Sequence, residues 1–253
     1  MPDNHDIAVI GSGFAGSLFA MIARRLGHSV VLLERGRHPR VVIGESSTPL
    51  SNLLLEELAR RYDLPAVQHL SKWGPWQEQY SHLPCGLKRG FSFFHHDLAQ
   101  PEPWHATAQN HFLVAASPHN AIADTHWYRA GFDHFLLDQA QQIGVEYRDE
   151  WRAMSFAEND NGVALTGIQG GQQQAVHASF VVDATGPRGC LHSLLHLEET
   201  RFAHYPSTQA LYSHFTGVRR APQLSPARDG VQLPYPPEDA AVHHIFDGGW
   251  VWL

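Results

Sequence analysis

Residues Asp6 to Arg35 read DIAVIGSGFAGSLFAMIARRLGHSVVLLER, and the order of residue types in this stretch decides the fold. An apolar β-type run, Ile7 to Ile10, feeds Gly11-Ser-Gly13-Phe-Ala-Gly16. A helical pattern follows and closes at Gly27, and a second apolar run, Val30 to Leu33, ends on an acid, Glu34. Gly11 and Gly13 leave the backbone uncrowded where a diphosphate would approach. The helix start offers free N–H groups, and Gly16 lets the helix lie close on the strands. Glu34 stands where a carboxylate can accept both hydroxyls of a ribose. A GxGxxG string by itself is weak evidence, but here strand, turn, helix, strand and acid follow in the required order. On this stretch alone NAD fits as well as FAD.

Outward from that stretch, the bulk properties narrow the class. The chain has 253 residues, 43% hydrophobic and 17% charged, enough to bury a full core as one large domain or two small ones. A net charge of -7 without a block of Lys or Arg argues against nucleic acid and against an anionic membrane surface. Cys85 and Cys190 are the only cysteines, so neither a disulfide framework nor a CxxC motif is available. The start, MPDNHDIAV, runs straight into a strand with no room for a signal peptide, and no apolar run is long enough to span a bilayer. The expectation is a soluble, cytoplasmic protein. Histidine is abundant, at 19 residues, yet His95-His96 and His243-His244 are adjacent pairs that point to opposite faces in a strand, and no HExxH occurs. No metal is expected, and most histidines are read as surface groups or as groups behind a site.

Along the chain, Val41 to Ile43 breaks into Gly44-Glu45-Ser46-Ser47-Thr48-Pro49, which places hydroxyls and a carboxylate before a helix with Pro49 at its first position. Ser47 or Thr48 serves there as an N-cap or as part of a site; both readings stand. Leu50 to Tyr62, with Leu53, Leu54 and Leu58, reads as an amphipathic helix. Gln68 to Pro84, carrying Trp73, Trp76 and Tyr80, reads as neither strand nor linker: it is a cover over a cavity or an aromatic-packed excursion. Gly86 to Phe94 alternates as a strand, with Leu87, Arg89, Phe91 and Phe93 on one side and Lys88, Gly90, Ser92 and Phe94 on the other. Asp97 to Asn110, with Trp104, is a loop, and His111 to Ala116 a strand.

Asp124 to Arg129 leads into a helix whose stripe is Phe132, Phe135, Leu136, Ala140 and Ile143, closed by Gly144. Strands follow at Val145–Tyr147 and Trp151–Phe156, with a hairpin through Asn159-Asp-Asn-Gly162 to Val163–Ile168 and a further turn at Gly170-Gly171. Phe180 to Gly186, FVVDATG, repeats the opening logic of a buried run, an acid and small residues. Gln209 to Thr216 reads as a strand, a proline-rich segment (Pro222, Pro226, Pro234, Pro236, Pro237) follows, and Ala241–Phe246 forms a hairpin with Trp250–Leu253 through Asp247-Gly-Gly249. A chain that stops inside an apolar strand reads as a truncated or split protein.

Together these motifs resemble the FAD-dependent monooxygenase superfamily with the p-hydroxybenzoate-hydroxylase-like fold, and within it the flavin-dependent halogenases. Gly11-x-Gly13-x-x-Gly16 with Glu34 is similar to the family's ADP-binding unit. Gly44 to Pro49 is similar to its flavin-facing GES loop, and Arg129 with Phe132-Asp133 and Leu136-Leu137 to its R-x-x-F-D-x-x-L helix. Asp183 to Gly186 is similar to its second glycine loop, and Gly248 to Leu253 to the start of its W-x-W-x-I-P motif.

The resemblance implies an α/β fold: a Rossmann-like FAD-binding parallel sheet with an interleaved antiparallel substrate-domain sheet, here incomplete. FAD-binding portions are expected at about 1–60 and 120–200, and substrate-domain portions at about 61–119 and 201–253. It implies FAD contacts from Gly11, Gly13, Phe14, Ala15 and Gly16, from Glu34 and Arg35, from Gly44, Ser46 and Ser47, from Arg129 and Trp151, and from Asp183, Ala184 and Gly186. It places Lys88 at the active-site lysine and Glu45 beside the flavin as a proton-donor orienter or a structural group; from the residues alone Lys88, sharing its face with Gly90 and Ser92, has room for a neighbouring ligand, the alternative being a solvated strand lysine. The implied chemistry takes reduced FAD from a separate reductase, dioxygen and halide to hypohalous acid, which Lys88 guides to an electron-rich aromatic substrate, free or carrier-bound. Hydroxylases and reductases share the fold, so halogenation, hydroxylation or reduction without halide, and an inactive half needing a second chain all remain readings of the sequence.

Overall fold

The computed structural model describes residues 4–99, 106–107, 109–160, 162–187, 189–200, 202–220 and 233–253. Trp104, Asn161, Pro222 and Pro226, named above, lie outside them. The chain divides into two compact units: residues 1–43, 59–66 and 129–210, and residues 44–58, 67–128 and 211–253. The boundaries differ from those expected at one place above all: 44–58, with the Gly44–Pro49 loop, groups with the second unit.

In the first unit β1 (Asn4–Ile10), β2 (Val30–Leu33) and β7 (Glu146–Arg148) run parallel beside β10 (Gln172–Asp183). β1 and β2 are hydrophobic without alternation because both faces are covered: Ala8, Val9, Val31, Leu32 and Leu33 are fully buried. β10 also pairs antiparallel with β9 (Gly162–Gln169), and β9 with β8 (Arg152–Asn159). The sheet order is therefore β7-β2-β1-β10-β9-β8. What the sequence suggests as separate runs after Gly171 is one twelve-residue strand that serves both halves of this sheet.

Helix α1 (Phe14–Arg25) joins β1 to β2. It closes on a Schellman turn: Gly27, at φ +95°, donates to Arg24 O at 3.1 Å and His28 N donates to Ala23 O at 3.2 Å. Arg24 and Arg25 sit in its last turn, where the dipole favours cations. Helix α5 (Arg129–Gln142) buries Phe132, Leu136, Leu137 and Ala140 and also Asp133; Phe135 and Ile143, expected in the stripe, are only half-buried.

In the second unit the Gly86–Phe94 run is two strands. β3 (Cys85–Lys88) pairs with β6 (Asp124–Trp127), and β4 (Gly90–His95) joins β5 (His111–Ala115), β11 (Ala241–Phe246) and β12 (Gly249–Trp252) in the order β12-β11-β4-β5. Arg89 breaks the run because its own backbone is spent elsewhere: its N–H donates to Asp239 O and its carbonyl accepts from Ala116 and Ser117. The expected alternation survives the break, since Lys88, Gly90, Ser92 and Phe94 are all buried.

Gln68–Pro84 is mostly helical, through His69–Ser71, a single turn, and α4 (Trp73–Tyr80) after α3 (Pro65–Gln68). The reason is local: Trp76 is fully buried and its indole N–H donates to Leu83 O at 3.0 Å, so this segment wraps its own tryptophan. Gln209–Thr216 is not a strand. It has no pairing partner among the described residues and Leu211, Tyr212 and Phe215 are exposed, so its β-type composition has no sheet to join.

Helix α2 (Pro49–Arg61) starts as Pro49 demands, and Thr48 is its cap: Oγ1 accepts from Ser51 N at 3.2 Å. Its buried side is Asn52, Leu55 and Ala59, while Leu53 and Leu54 are exposed. Thr48→Ala is expected to lower the stability of the second unit by about 1 kcal/mol, read as a shift in the urea midpoint at unchanged slope. Thr48→Asn should restore it.

Candidate functional site

The first unit encloses a cavity of about 630 Å³ walled by the end of β1, residues 33–36 and 40–42, Trp151 to Ala153, and the turn and short helix after β10. That volume falls in the range of cofactor sites. The turn that opens it admits only glycine at two points. A Cβ on Gly11, at φ +100°, would lie 2.6 Å from Ala184 O, and one on Gly16 would lie 1.8 Å from Gly11 O.

No side chain caps α1 at Gly13, and a helix N-terminus of this kind favours an anion. Two guanidiniums converge on the same point: Arg40 Nη2 and Arg129 Nη2 would lie 3.3 and 3.8 Å from a Cβ on Gly13. Fully buried Asp133 fixes them. It takes Arg129 Nε at 2.7 Å and Nη2 at 2.9 Å, with Arg40 Nη2 at 4.0 Å. Arg40 Nη2 also lies 3.5 Å from Glu34 Oε2, so two cations and two carboxylates meet here; what suits a diphosphate is the two guanidiniums beside a helix N-terminus.

Glu34, buried at the cavity wall, is held from several sides. Oε2 accepts Ser12 N and Ser12 Oγ, both at 3.0 Å, and Oε1 accepts Gly36 N at 2.9 Å. Burial raises its pKa, but the bonds from Ser12 and Gly36 and the charge of Arg40 outweigh it and leave the carboxylate below its ordinary value. Of about four lone-pair positions on a carboxylate three are taken, and the free one is on Oε1.

The second unit centres on Lys88, 1% exposed, and so not a solvated strand lysine. It faces Asp124 across β3 and β6, donates to Ser47 O, and lies 4.2 Å from the centre of the Phe91 ring. Burial lowers its pKa against the pull of Asp124; burial raises Asp124 against its hydrogen bond from Asn52 Nδ2 (2.7 Å) and against Lys88. Ser47 is the hub of this wall: Oγ donates to Thr125 O at 2.8 Å and accepts from Thr125 N and from Asn52. Ser46 bridges to His126, and its own Oγ is buried without a partner. Glu45 anchors the loop, its carbonyl accepting Trp127 N at 2.6 Å and its Oε1 meeting His214 Nε2 at 2.9 Å.

His126 is pushed down to about 4 by burial, then by Lys88 and His243. Its folded pKa lies below the ordinary 6.5, so the unfolded chain binds the proton first as pH falls, and the stability this group contributes above 6.5 is lost on the way down to about 4. The expected reading is a His126 C2 proton that titrates near pH 4 by NMR; a midpoint near 6.5 would mean that the ring is solvated.

His192 and His196 stand four apart in sequence, but the helix there ends at Leu194 and His196 is left-handed at φ 52°. Among the described residues no three of His, Cys, Asp or Glu are placed to hold a metal, and no helix is long and apolar enough to cross a membrane.

A glycine turn with no side-chain cap, two arginines and a buried acid on the cavity wall together fit an adenine dinucleotide. The family model described as FAD dependent oxidoreductase matches residues 6–247. The chain belongs to that family.

The chain is similar to several halogenases. It is 29% identical to tetracycline 7-halogenase of Kitasatospora aureofaciens over 98% of this chain, and 28% identical to monodechloroaminopyrrolnitrin halogenase PrnC of Pseudomonas fluorescens over 99% of it. Among solved structures, halogenase PltM in complex with phloroglucinol and FAD superposes with a TM-score of 0.78 at 26% identity over 98% of this chain. The chain spans only 43% and 42% of those two relatives and 47% of the PltM chain.

Of the residues expected to hold FAD, the cavity brings together Gly11, Glu34, Arg35, Trp151 and Ala184. Gly13, Phe14, Ala15, Gly16 and Arg129 cluster at the α1 start instead, where the Phe14 ring packs 6.2 Å from Phe132. Asp183 is engaged in its own turn, accepting Thr185 N, Thr185 Oγ and Leu191 N; it and Gly186 shape the loop without lining the cavity. Gly44, Ser46 and Ser47 lie in the second unit with Lys88 and Glu45. Sequence reasoning missed Ser12, His38, Asp124, His126 and His214, and took Arg40 only as part of a basic loop.

Proposed function

We propose that the protein is a flavin-dependent halogenase, with the first unit holding the ADP end of FAD and the second unit contributing to the substrate side. The observation that carries this reading is the buried amine of Lys88, set against Phe91, His126 and Asp124 in a chain that aligns along nearly its whole length with halogenases. The α1 start with Arg40 and Arg129 would hold the diphosphate, and Glu34 Oε1 a ribose hydroxyl. Bound FAD, reduced by a separate reductase, supplies the activation of dioxygen that oxidises halide to hypohalous acid.

This chain's residues then have two tasks. Burial keeps the lysine site dry, and it lowers the cost of having Lys88 as the free amine. In that state the nitrogen lone pair can take halogen from hypohalous acid, releasing water, and pass it to an aromatic carbon as the N–X electron pair returns to nitrogen and the ring loses its proton. An electron-rich ring, free or on a carrier, is the fitting substrate; PltM has been solved with phloroglucinol.

Purified protein supplied with a flavin reductase, NADH, FAD, dioxygen and bromide should brominate a phenol or a monochlorodimedone-type acceptor. A hydroxylated product without halogen would overturn the halogenase reading in favour of a monooxygenase.

A further inference from the structure

His38 is not part of the cavity wall, yet its ring is tied to the group expected to hold the ribose. Its Nε2 lies 2.8 Å from Ser12 Oγ. Ser12, fully buried, has one hydroxyl proton, and the bond to Glu34 Oε2 at 3.0 Å uses it. Ser12 Oγ must then accept from His38, which fixes the tautomer with the proton on Nε2 and leaves Nδ1 as an acceptor. Nδ1 is buried and without a partner. The Ser12 backbone is itself pinned, its carbonyl accepting Ser17 Oγ at 3.1 Å. Around the imidazole stand Arg40, Glu34, Asp133 and His134, the last stacked at 6.0 Å. Burial, then Arg40, hold His38 below its ordinary value against Glu34 and Asp133, so the ring is neutral at pH 7.

We infer that His38 is a positioning residue of the cofactor site: through Ser12 it locks Glu34 Oε2 and so presents Oε1 to the ribose of FAD's ADP half. The inference rests on reading the first unit as the ADP end of the FAD site. Without His38, the Ser12 hydroxyl can rotate and Glu34 loses an oriented donor on its anchored oxygen. Hydrogen bonds to a charged group are the strong ones, so the effect is felt in affinity although His38 itself touches no ligand.

The test titrates FAD, and ADP in parallel, into the 253-residue chain and its variants, following flavin fluorescence quenching and displacement. His38→Phe keeps a ring but no donor and is expected to weaken both ligands about tenfold. His38→Gln restores an N–H donor and should bind within about twofold of the parent. Ser12→Ala should cost about as much as His38→Phe, and the double variant no more than Ser12→Ala alone, because the two act in series. In the unliganded parent, NMR should show the imidazole proton on Nε2, with its hydrogen bond lost in Ser12→Ala. Equal loss in Phe and Gln variants, additive losses in the double variant, or a proton on Nδ1 would overturn the relay. Failure of the parent to bind either ligand, with the Nε2 proton in place, would instead overturn the ADP-site reading and this role with it.

Discussion

Gly16→Ala is expected to cost the first unit about 3 kcal/mol, the upper end of overpacking penalties, and to abolish retention of FAD. The clash is with Gly11 O, a backbone atom 1.8 Å from the added Cβ, and the Cβ position is fixed by the backbone too, so no rotamer change relieves it. Either α1 lifts off β1 or the turn opens, and both displace the Gly13 cap from Arg40 and Arg129. Gly170→Ala is the control. At φ +57° nothing lies within 4 Å of its Cβ, and the cost is the strain of a left-handed alanine, about 1 kcal/mol. Against a total stability of roughly 5–15 kcal/mol, the difference should be plain in denaturant midpoints. Parent-like stability together with parent-like FAD uptake in Gly16→Ala would mean that α1 does not pack on the turn as described.

The strand–turn–helix opening was legible because everything that decides it is local. Period and glycine placement in Asp6–Arg35 specify β1, α1 and β2, and the acid that ends the second run is Glu34. Where pairing decides, the reading failed. Gly86–Phe94 is a perfect alternation by sequence, but Arg89 gives its backbone bonds to Asp239, Ala116 and Ser117, partners far away in the chain. Gln209–Thr216 has the composition of a strand but pairs with none among the described residues. Trp73 to Tyr80 lacks a clean helical stripe, since its burial is concentrated in one residue, Trp76.

The site divides in the same way. Glu34 could be named because its position follows from β2. Asp124 and His126, two apart on β6, meet Lys88 and Gly86 only through the β3–β6 register, which no run of residues states. The His38–Ser12 contact spans a turn and a loop, and a histidine between an arginine and a proline carries no signal of it. Arg40 was visible as charge, but its convergence with Arg129 on Gly13 depends on Asp133, a buried acid inside a helix whose stripe otherwise reads as apolar.

Lys88→Met should separate folding from chemistry. The side chains are of similar length, but the exchange takes the counter-charge from buried Asp124, and removing one partner of a buried charge pair is destabilising. The folded pKa of Lys88 is depressed from 10.5, so between the folded value and 10.5 the unfolded chain holds more protons and the parent gains stability as pH rises. A thioether at this position has no such dependence. The variant's stability should therefore fall below the parent's at pH 7, and the deficit should widen toward pH 10.5. Affinity for ADP, which would be read by the first unit, should not change. Halogenation should fall by about 10²- to 10⁴-fold, the range for removing a group that acts on the reacting atoms. The informative outcome is the combination: a folded protein that still binds ADP and, while the reductase consumes NADH, halogenates at no more than about a hundredth of the parent's rate. If Lys88→Met halogenates at the parent's rate, the buried amine is structural, and the acceptor of halogen must be sought elsewhere.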